Sequence, residues 1–331
     1  MKDASNMPET VLSGVLPGLY RIDDIGRSYV QSSTYILTEG NFAYVIGSDP
    51  FLSLETINHN LSTLPSVYVV KAFFLTDFNH DIALFIDSLD KCGKRIDVIL
   101  PTCPRDFEAG AFLNIKLVFA DNDRYSYVSA DEMMFRIIPA LFTNGRYSCM
   151  VYASEGKILF SNRLFDAYAT YRGTDTEEAM VAFHKDNIPS SDYLRPLLSR
   201  LSDLDIEHVY TASGIEYAGK EYLEASKTLF HLEFHNYYSD RNGDSEEKKE
   251  QELTELIDQV ILKLRKTFGD EEVLRAYKGS SAYFDETAIT FISAGKDAFR
   301  LWHQIFEQAY LKGGQPWLDI LYPMIAKIVK T

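Results

Sequence analysis

Cysteine is scarce in this sequence. Its 331 residues include three cysteines, at positions 92, 103 and 149, and no two of them have the CxxC spacing. A small number that is also odd argues against a disulfide framework, and the spacing argues against a cysteine-based zinc site.

Long apolar runs and an excess of positive charge are also missing. No run reaches the roughly 20 residues that a membrane-spanning helix needs, and residues 1–6 lack the apolar segment of a secretory signal. The 33 Lys and Arg are outnumbered by 48 Asp and Glu, which gives a net charge of −15. No basic patch is therefore available for a nucleic-acid backbone. We expect a cytoplasmic protein with no membrane span and no nucleic-acid partner.

The remaining composition is that of a globular protein with a sizeable core. Hydrophobic residues make up 46% and charged residues 24% of the chain. The pattern is rich in strands at first, then mixed, then rich in strands again. Strands are predicted at 33–38, 42–46, 69–75, 95–100, 117–120, 134–138, 148–153 and 157–160. Helices are predicted at 52–64, 81–91, 177–184, 193–204 and 219–229. This order favours an α+β fold with sheets covered by helices over a simple doubly wound sheet.

One stretch has the pattern of a strand that ends at a functional site. The apolar run from Val69 to Leu75 stops at a cluster of polar side chains, and a helical pattern follows. In α/β folds, ligands and catalytic groups gather at the carboxyl ends of such buried strands. The polar cluster consists of Thr76, Asp77, Asn79, His80 and Asp81.

Three segments resemble the metallo-β-lactamase-fold domain of flavodiiron proteins and their oxygen-binding di-iron relatives. Residues 28–37 resemble the strand that reads GTSYNSYLI in that family, and residues 157–165 resemble K-x-LFS-x-D-x-FG. Residues 193–210 resemble the helix and strand that precede PSHGP. The resemblance covers about residues 15–232 and implies an αββα sandwich, which we assign to a domain spanning residues 1–235.

The same resemblance implies that the metal site has degenerated. The family's H-x-E-x-D-H turn falls on residues 77–82, where only Asp81 keeps its type. A later histidine, the bridging aspartate and the last histidine fall on Phe142, Arg163 and Ser213. We call the matching positions the vestigial pocket: Asp77, Asn79, Asp81, Ile82, Phe142, Arg163 and Ser213.

Iron chemistry explains why these replacements matter. Two irons need several imidazoles and carboxylates, including a bridging anion. Isoleucine and phenylalanine offer no lone pair, and a guanidinium adds positive charge where the metals would lie. We therefore predict no catalytic residue, no metal and no cofactor. Because an unpaired buried charge is costly, Arg163 is predicted to pair with Asp77 or Asp81. The alternative is that Arg163 faces solvent.

Two histidine arrangements are compatible with metal binding. His80 is a rescue candidate beside Asp81, and a site rearranged around residues 77–81 would give an oxygen-binding or oxygen-reducing di-iron protein or a metallo-hydrolase. The pair His231 and His235 has the i,i+4 spacing of zinc ligands, although a polar stripe has the same spacing. A third reading is that the emptied pocket binds a small ligand.

The remainder of the chain is predicted to form a charged linker at 236–252 and a helical or small α+β module at 253–331. An apolar stripe from Leu253 to Leu264 indicates a helix that forms a homodimer or packs on its own domain. The flavodoxin domain of flavodiiron proteins is not matched, so FMN is not expected. We predict a non-catalytic regulatory, sensory or scaffolding protein whose partner is a second copy, another protein or a small ligand.

Overall fold

The computed structural model describes most of the N-terminal two thirds of the chain and part of the remainder. The described residues are 10–24, 33–47, 54–64, 66–77, 80–101, 112–120, 126–128, 133–140, 143, 148–168, 176–188, 190–234, 246–277, 283–285, 290–293, 305, 309, 316–317 and 320–321.

A mixed sheet of seven strands forms first, with the strands side by side in chain order. The first four strands are antiparallel, and the fourth to seventh are parallel. The strands predicted at 33–38 and 42–46 form a hairpin, since Glu39 lies opposite Phe42. The strands are β1 Thr10–Leu16, β2 Leu19–Asp24, β3 Ser33–Glu39, β4 Phe42–Ile46, β5 Val69–Phe74, β6 Ile96–Leu100 and β7 Ile115–Phe119.

Six later strands form a second sheet in the order β13-β12-β11-β10-β9-β8. Only the β11–β12 pair is parallel, so both of these strands deliver their carboxyl ends to the same edge. The strands are β8 Ser126–Val128, β9 Met134–Pro139, β10 Cys149–Ala153, β11 Ile158–Asn162, β12 His208–Thr211 and β13 Glu216–Ala218. β8 and β13 have three residues each, too few for the periodicity that would predict them.

The two sheets share a buried core because side chains point alternately to the two faces along each strand. In β5, Ala72 and Phe74 contribute to the core shared with the second sheet, whereas Phe73 and Leu75 belong to the core on the other face. The ring of Phe74 lies 4.6 Å, centroid to centroid, from that of Phe135 in the second sheet. Residues 72–75 of the apolar run are therefore buried on both faces, whereas Val69 at its start is exposed.

Helices complete the layers. Helices α1 (Leu54–Ser62) and α2 (His80–Lys91) pack on the outer face of the first sheet, where the rings of Phe73 and Phe85 meet edge to face. Helices α3 (Thr176–Asn187) and α5 (Lys220–His231) contact the second half of the sandwich, where Tyr222 meets the ring of Phe165. The predicted α+β sandwich is confirmed.

The chain divides into two compact units. The first comprises residues 1–187 and 204–228, and the second comprises residues 188–203 and 229–331. The second unit contains α4 (Leu194–Leu201), α6 (Glu246–Phe268), α7 (Asp270–Tyr277) and a hairpin of β14 (Tyr283–Asp285) with β15 (Thr290–Ser293). The C-terminal part is thus largely helical, as predicted.

The predicted linker at 236–252 needs a correction at its C-terminal end. Helix α6 begins at Glu246, so residues 246–252 are helical. The charged run EEKKEQE consists of strong helix formers with Glu–Lys pairs at i,i+3 and i,i+4 spacing, so its charge does not make it a linker. The stripe that follows is confirmed, with Ile257, Val260, Ile261 and Leu264 buried.

None of the helices in the described ranges is both long and apolar enough to cross a bilayer.

Candidate functional site

A small cavity lies where the carboxyl ends of strands from both sheets meet. It has a volume of about 50 Å³. The vestigial-pocket residue Arg163 is part of its wall, and strands β3, β4, β11 and β12 supply most of the rest. The lining residues are Ser33, Tyr35, Ile46, Gly47, Thr76, Phe160, Asn162, Arg163, Tyr210, Thr211 and Ala212.

The end of β5 is fixed to the second sheet through one carbonyl. The Thr76 oxygen accepts hydrogen bonds from the backbone N–H of Cys149 at 2.8 Å and from the side-chain amide of Asn162 at 3.0 Å. Asp77 follows and is half-buried. Burial, together with the negative charge of Asp77, raises the pKa of the Cys149 thiol, so this buried cysteine is not a reactive thiolate.

Arg163 forms its ion pair with Asp166. Its Nη1 lies 3.0 Å from Oδ2 of Asp166, whose side chain is completely buried. The other carboxylate oxygen, Oδ1, accepts from the hydroxyl of Ser213 at 2.5 Å and from the backbone N–H of Ser213 at 3.2 Å. Three donors therefore stabilise one buried carboxylate, and the turn after β11 is tied to the turn after β12.

The prediction that Arg163 pairs with Asp77 needs a correction, since Asp77 is not its ion-pair partner within the described part of the chain. The predicted alternative, Asp81, has its side chain outside that part. Asp166 takes the role because the turn after β11 brings it back against Arg163, and such a turn has no periodic sequence pattern.

The turn that carries this ion pair is strained. Asn162 and Phe165 have φ angles of 53° and 68°, in the left-handed region. Asparagine tolerates this conformation, whereas a bulky residue such as phenylalanine rarely adopts it. Such strain persists only where surrounding contacts hold it. Here the N–H of Phe165 donates to Nε2 of His184 at 3.2 Å, and its carbonyl accepts from the Tyr217 hydroxyl at 2.9 Å.

His184 is a neutral imidazole with a defined tautomer. Its Nδ1 donates to the Met180 carbonyl at 2.8 Å, one helical turn earlier, which leaves Nε2 free to accept from Phe165. Complete burial lowers the pKa of His184 to about 4. A protonated ring would present an N–H to the N–H of Phe165.

A second charged group supports the β12 turn. Arg21 bridges Asp23 and the Gly214 carbonyl, with its Nη1 2.8 Å from that oxygen, and Asp23 accepts from the Ser33 hydroxyl at 2.6 Å. Gly214 has a φ of 81°, and a Cβ there would lie 2.7 Å from Oγ of Ser33. Only glycine fits this turn without a shift.

The remaining predicted positions differ in their surroundings. Ile82 is fully buried in the core between the first sheet and its helices, so this position belongs to packing. Arg163 and Ser213 do come together, through Asp166. His80 and Asp81 begin α2, but their side chains lie outside the described part, as do Asn79 and Phe142. His231 is exposed at the end of α5, and its predicted partner His235 also lies outside the described ranges.

Three described positions of the vestigial pocket do not fit a di-iron centre. Ile82 donates no electron pair, Ser213 donates its hydroxyl hydrogen to Asp166, and Arg163 places a cation where the resemblance implies the bridging anion. Among the residues that the structure describes, no three His, Cys, Asp or Glu side chains are grouped to hold a metal ion.

Comparison with known proteins identifies the family. The model of the ODP family beta lactamases matches residues 30–214, more than half of the chain. The chain belongs to this family. No curated protein sequence matches it.

Solved structures of the family share the fold at low sequence identity. The chemotaxis sensor ODP in its peroxy di-iron form is 14% identical with a TM-score of 0.54, over 70% of this chain and 97% of that one. A flavo di-iron protein mutant from Thermotoga maritima is 16% identical with a TM-score of 0.52, over 68% of this chain and 62% of that one. The flavodiiron protein from Giardia intestinalis is 16% identical with a TM-score of 0.51, over 67% and 59% of the two chains. The metallo-β-lactamase fold implied by the sequence is thereby confirmed.

Sequence analysis missed Asp166 and His184. Asp166 occupies the glycine position of the K-x-LFS-x-D-x-FG pattern, directly after Phe165. An acidic residue in place of that glycine, three residues after an arginine in place of the aspartate, was the available signal. The sequence contains no comparable signal for His184, because a lone histidine on a helix is usually a packing or surface residue.

We predict that the hydrogen bond from Ser213 to Asp166 stabilises the first unit. Ser213→Ala removes the hydroxyl donor from a buried carboxylate, and a loss of about 1–3 kcal/mol is expected. Native-state hydrogen exchange at β11 and β12 amides measures this loss locally, because the two units need not unfold together. Ser62→Ala is the matched control, since Ser62 lies in the same unit and its exposed hydroxyl donates to the neutral His59 carbonyl. Equal effects of the two substitutions would contradict the assigned role.

We also predict that His184 makes the first unit acid-sensitive. Its pKa of about 4 in the folded state lies below its ordinary value of 6.5, so the unfolded state binds the proton first as the pH falls. The contribution to stability is complete above pH 6.5 and is lost progressively down to about pH 4, by about 3 kcal/mol in total. Hydrogen exchange at β11 amides across this range measures the loss.

The variant His184→Gln isolates this contribution from that of the carboxylates. Its amide oxygen can accept from Phe165 but does not titrate. The stability of the variant should therefore depend less steeply on pH between 4 and 6.5 than that of the natural protein. Identical slopes would show that His184 does not carry the effect.

Proposed function

We propose that this chain is a metal-free, non-catalytic member of its family that acts as a regulatory, sensory or scaffolding protein. The observation that supports this proposal is the buried ion pair between Arg163 and Asp166, closed by Ser213. It stands where the resemblance implies a metal-bridging carboxylate and a histidine ligand.

Electrostatics is the first argument. A metal centre in this fold needs anions to balance two polyvalent cations. Here the described carboxylate Asp166 is already engaged by the Arg163 guanidinium and by both donors of Ser213. Iron would have to enter beside a fixed positive charge in a partly buried environment, where screening by solvent is weak. Like charges held this close oppose binding.

The absence of nucleophile chemistry in the described site is the second argument. The Cys149 thiol is buried with a raised pKa, and Ser213 donates its hydrogen to a carboxylate that is occupied by an arginine. A serine nucleophile needs a base that is free to accept its proton. Neither group meets the needs of covalent catalysis.

A signalling role extends what one family member is described as doing. The relative with a TM-score of 0.54 is a chemotaxis sensor in a peroxy di-iron form. We infer that this chain keeps the sensor framework and has exchanged the metal for an internal ion pair. The rival reading is a di-iron protein with a site rearranged around Asp77, Asn79, His80 and Asp81. The homodimer and the protein partner stay predictions.

Metal analysis of the full chain tests the proposal. The protein is purified without chelator, incubated anaerobically with ferrous iron, desalted and measured by elemental analysis and absorption spectroscopy. We expect far less than one iron per chain, because Ile82, Arg163 and Ser213 supply no ligand. A stoichiometry near two irons per chain would overturn the proposal.

A variant locates any iron that does bind. His80→Ala with Asp81→Ala removes the ligands on which the rearranged site depends. Loss of bound iron in this variant would establish the rival reading. An unchanged trace amount in both proteins would assign it to non-specific surface binding and leave the metal-free proposal intact.

A further inference from the structure

The described wall of the cavity at the strand ends contains one ionised residue. Of the eleven described lining residues, only Arg163 carries a charge. The acidic residues Asp23, Asp77 and Asp166 are not among them. The described wall therefore presents one cation and several neutral polar groups.

Arg163 is held in one orientation and keeps hydrogen-bond capacity. One N–H of its Nη1 donates to Asp166, and the side chain is 19% exposed. Within the described ranges, Asp166 is its only hydrogen-bond partner, so most of the five guanidinium donors are unused. The side-chain amide of Asn162 spends one N–H on the Thr76 carbonyl and retains a second. These two residues form the donor side of the cavity.

Four lining residues have hydroxyl groups whose hydrogens are already committed, and that of Tyr210 donates to Glu216. Ser33 donates to Asp23 and Tyr35 donates to the Thr211 carbonyl. Because Ser213 gives its single hydrogen to Asp166, Thr211 is the donor in the 3.2 Å contact between their hydroxyls. These hydroxyl oxygens are therefore hydrogen-bond acceptors toward any occupant.

Size sets a further limit. A volume of about 50 Å³ accommodates three or four water molecules, which corresponds to about four heavy atoms of a ligand. Ile46 and Phe160 form the apolar part of the wall. A flat molecule with one anionic edge and one donor edge matches this combination of donors, acceptors and space.

We propose that the cavity binds bicarbonate, or a small planar monoanion of the same kind that carries its own O–H donor. The two anionic oxygens face Arg163 and Asn162, and the O–H faces the committed hydroxyls. A dianion such as sulfate carries a second negative charge for which the described wall has no further cation, and it has no O–H to donate to the committed hydroxyls. This inference rests on the proposed function, because iron with its ligands would take up the same end of the sandwich.

The experiment is a titration of metal-free full-length protein with ¹³C-labelled bicarbonate at mildly alkaline pH. Sodium gluconate, which is too bulky for the cavity, keeps the ionic strength constant. Amide resonances of Gly47, Thr211 and Ala212 should shift saturably, with a dissociation constant on the order of 1 mM for so small a ligand. Formate and nitrate test the role of the donor edge, since both are planar monoanions without an O–H. They should bind at least about tenfold more weakly.

Two variants test the assigned residues. Arg163→Gln with Asp166→Asn removes both charges together, so that no buried carboxylate is left unpaired, and should weaken bicarbonate binding at least about tenfold. Arg275→Gln is the control, because Arg275 forms an i,i+3 pair with Glu272 on the exposed surface of α7. Its affinity for bicarbonate should be unchanged. The amide spectra of the variants report whether each is folded.

The possible outcomes separate this inference from the proposed function. Metal-free protein that shows no saturable shift, or that binds nitrate as well as bicarbonate, would overturn the inference alone. Binding that survives in the double variant would also overturn it. Stoichiometric iron in the same samples would overturn the proposed function instead. The size and donor dependence needs no variant, so the test stands even if the double variant fails to fold.

Discussion

A single buried carboxylate organises the site. Asp166 has no exposed surface, and removing such a group from water is costly unless it is paired and hydrogen-bonded. Arg163 and both donors of Ser213 meet that need, and they come from the turns after two parallel strands. The position of Asp166 therefore decides how the ends of β11 and β12 lie against each other. It also decides the direction of the Arg163 guanidinium, since one of its nitrogen atoms is fixed.

The strain in the turn after β11 depends on the same arrangement. Phe165 adopts a left-handed conformation that a bulky side chain ordinarily avoids. Its N–H and carbonyl are held by His184 of α3 and Tyr217 of β13, so contacts with these two elements stabilise the backbone that orients Asp166. The ion pair and the strained turn thus depend on the same set of contacts. A change at His184 acts on the pocket although the imidazole does not line it.

The sequence predicted the framework well and the site in part. Strands such as β5 and β6 are buried runs of apolar residues, and their periodicity and length identify them without tertiary information. The charged start of α6 before Leu253 looked like a linker because charge alone does not distinguish a helix from a loop. Asp166 was missed for a different reason. The left-handed residues of the turn determine which side chain Asp166 pairs with, and such a turn has no periodic sequence pattern. The resemblance identified Arg163 and Ser213 at positions where the family has metal ligands, but only the structure shows that Asp166 connects them.

The packing of Ile82 supports the proposal that this chain holds no metal. Its side chain is fully buried in a core with Phe73, Phe85 and Ile86, so an imidazole at this position would be a polar group in an apolar environment. An aspartate at position 163 would in turn face Asp166 without the cation that now neutralises it. The side chains that the resemblance implies at these two positions would therefore be unfavourable in the present surroundings unless metal ions balanced them. In the proposed metal-free protein, the ion pair between Arg163 and Asp166 provides the charge balance that a metal centre would otherwise provide.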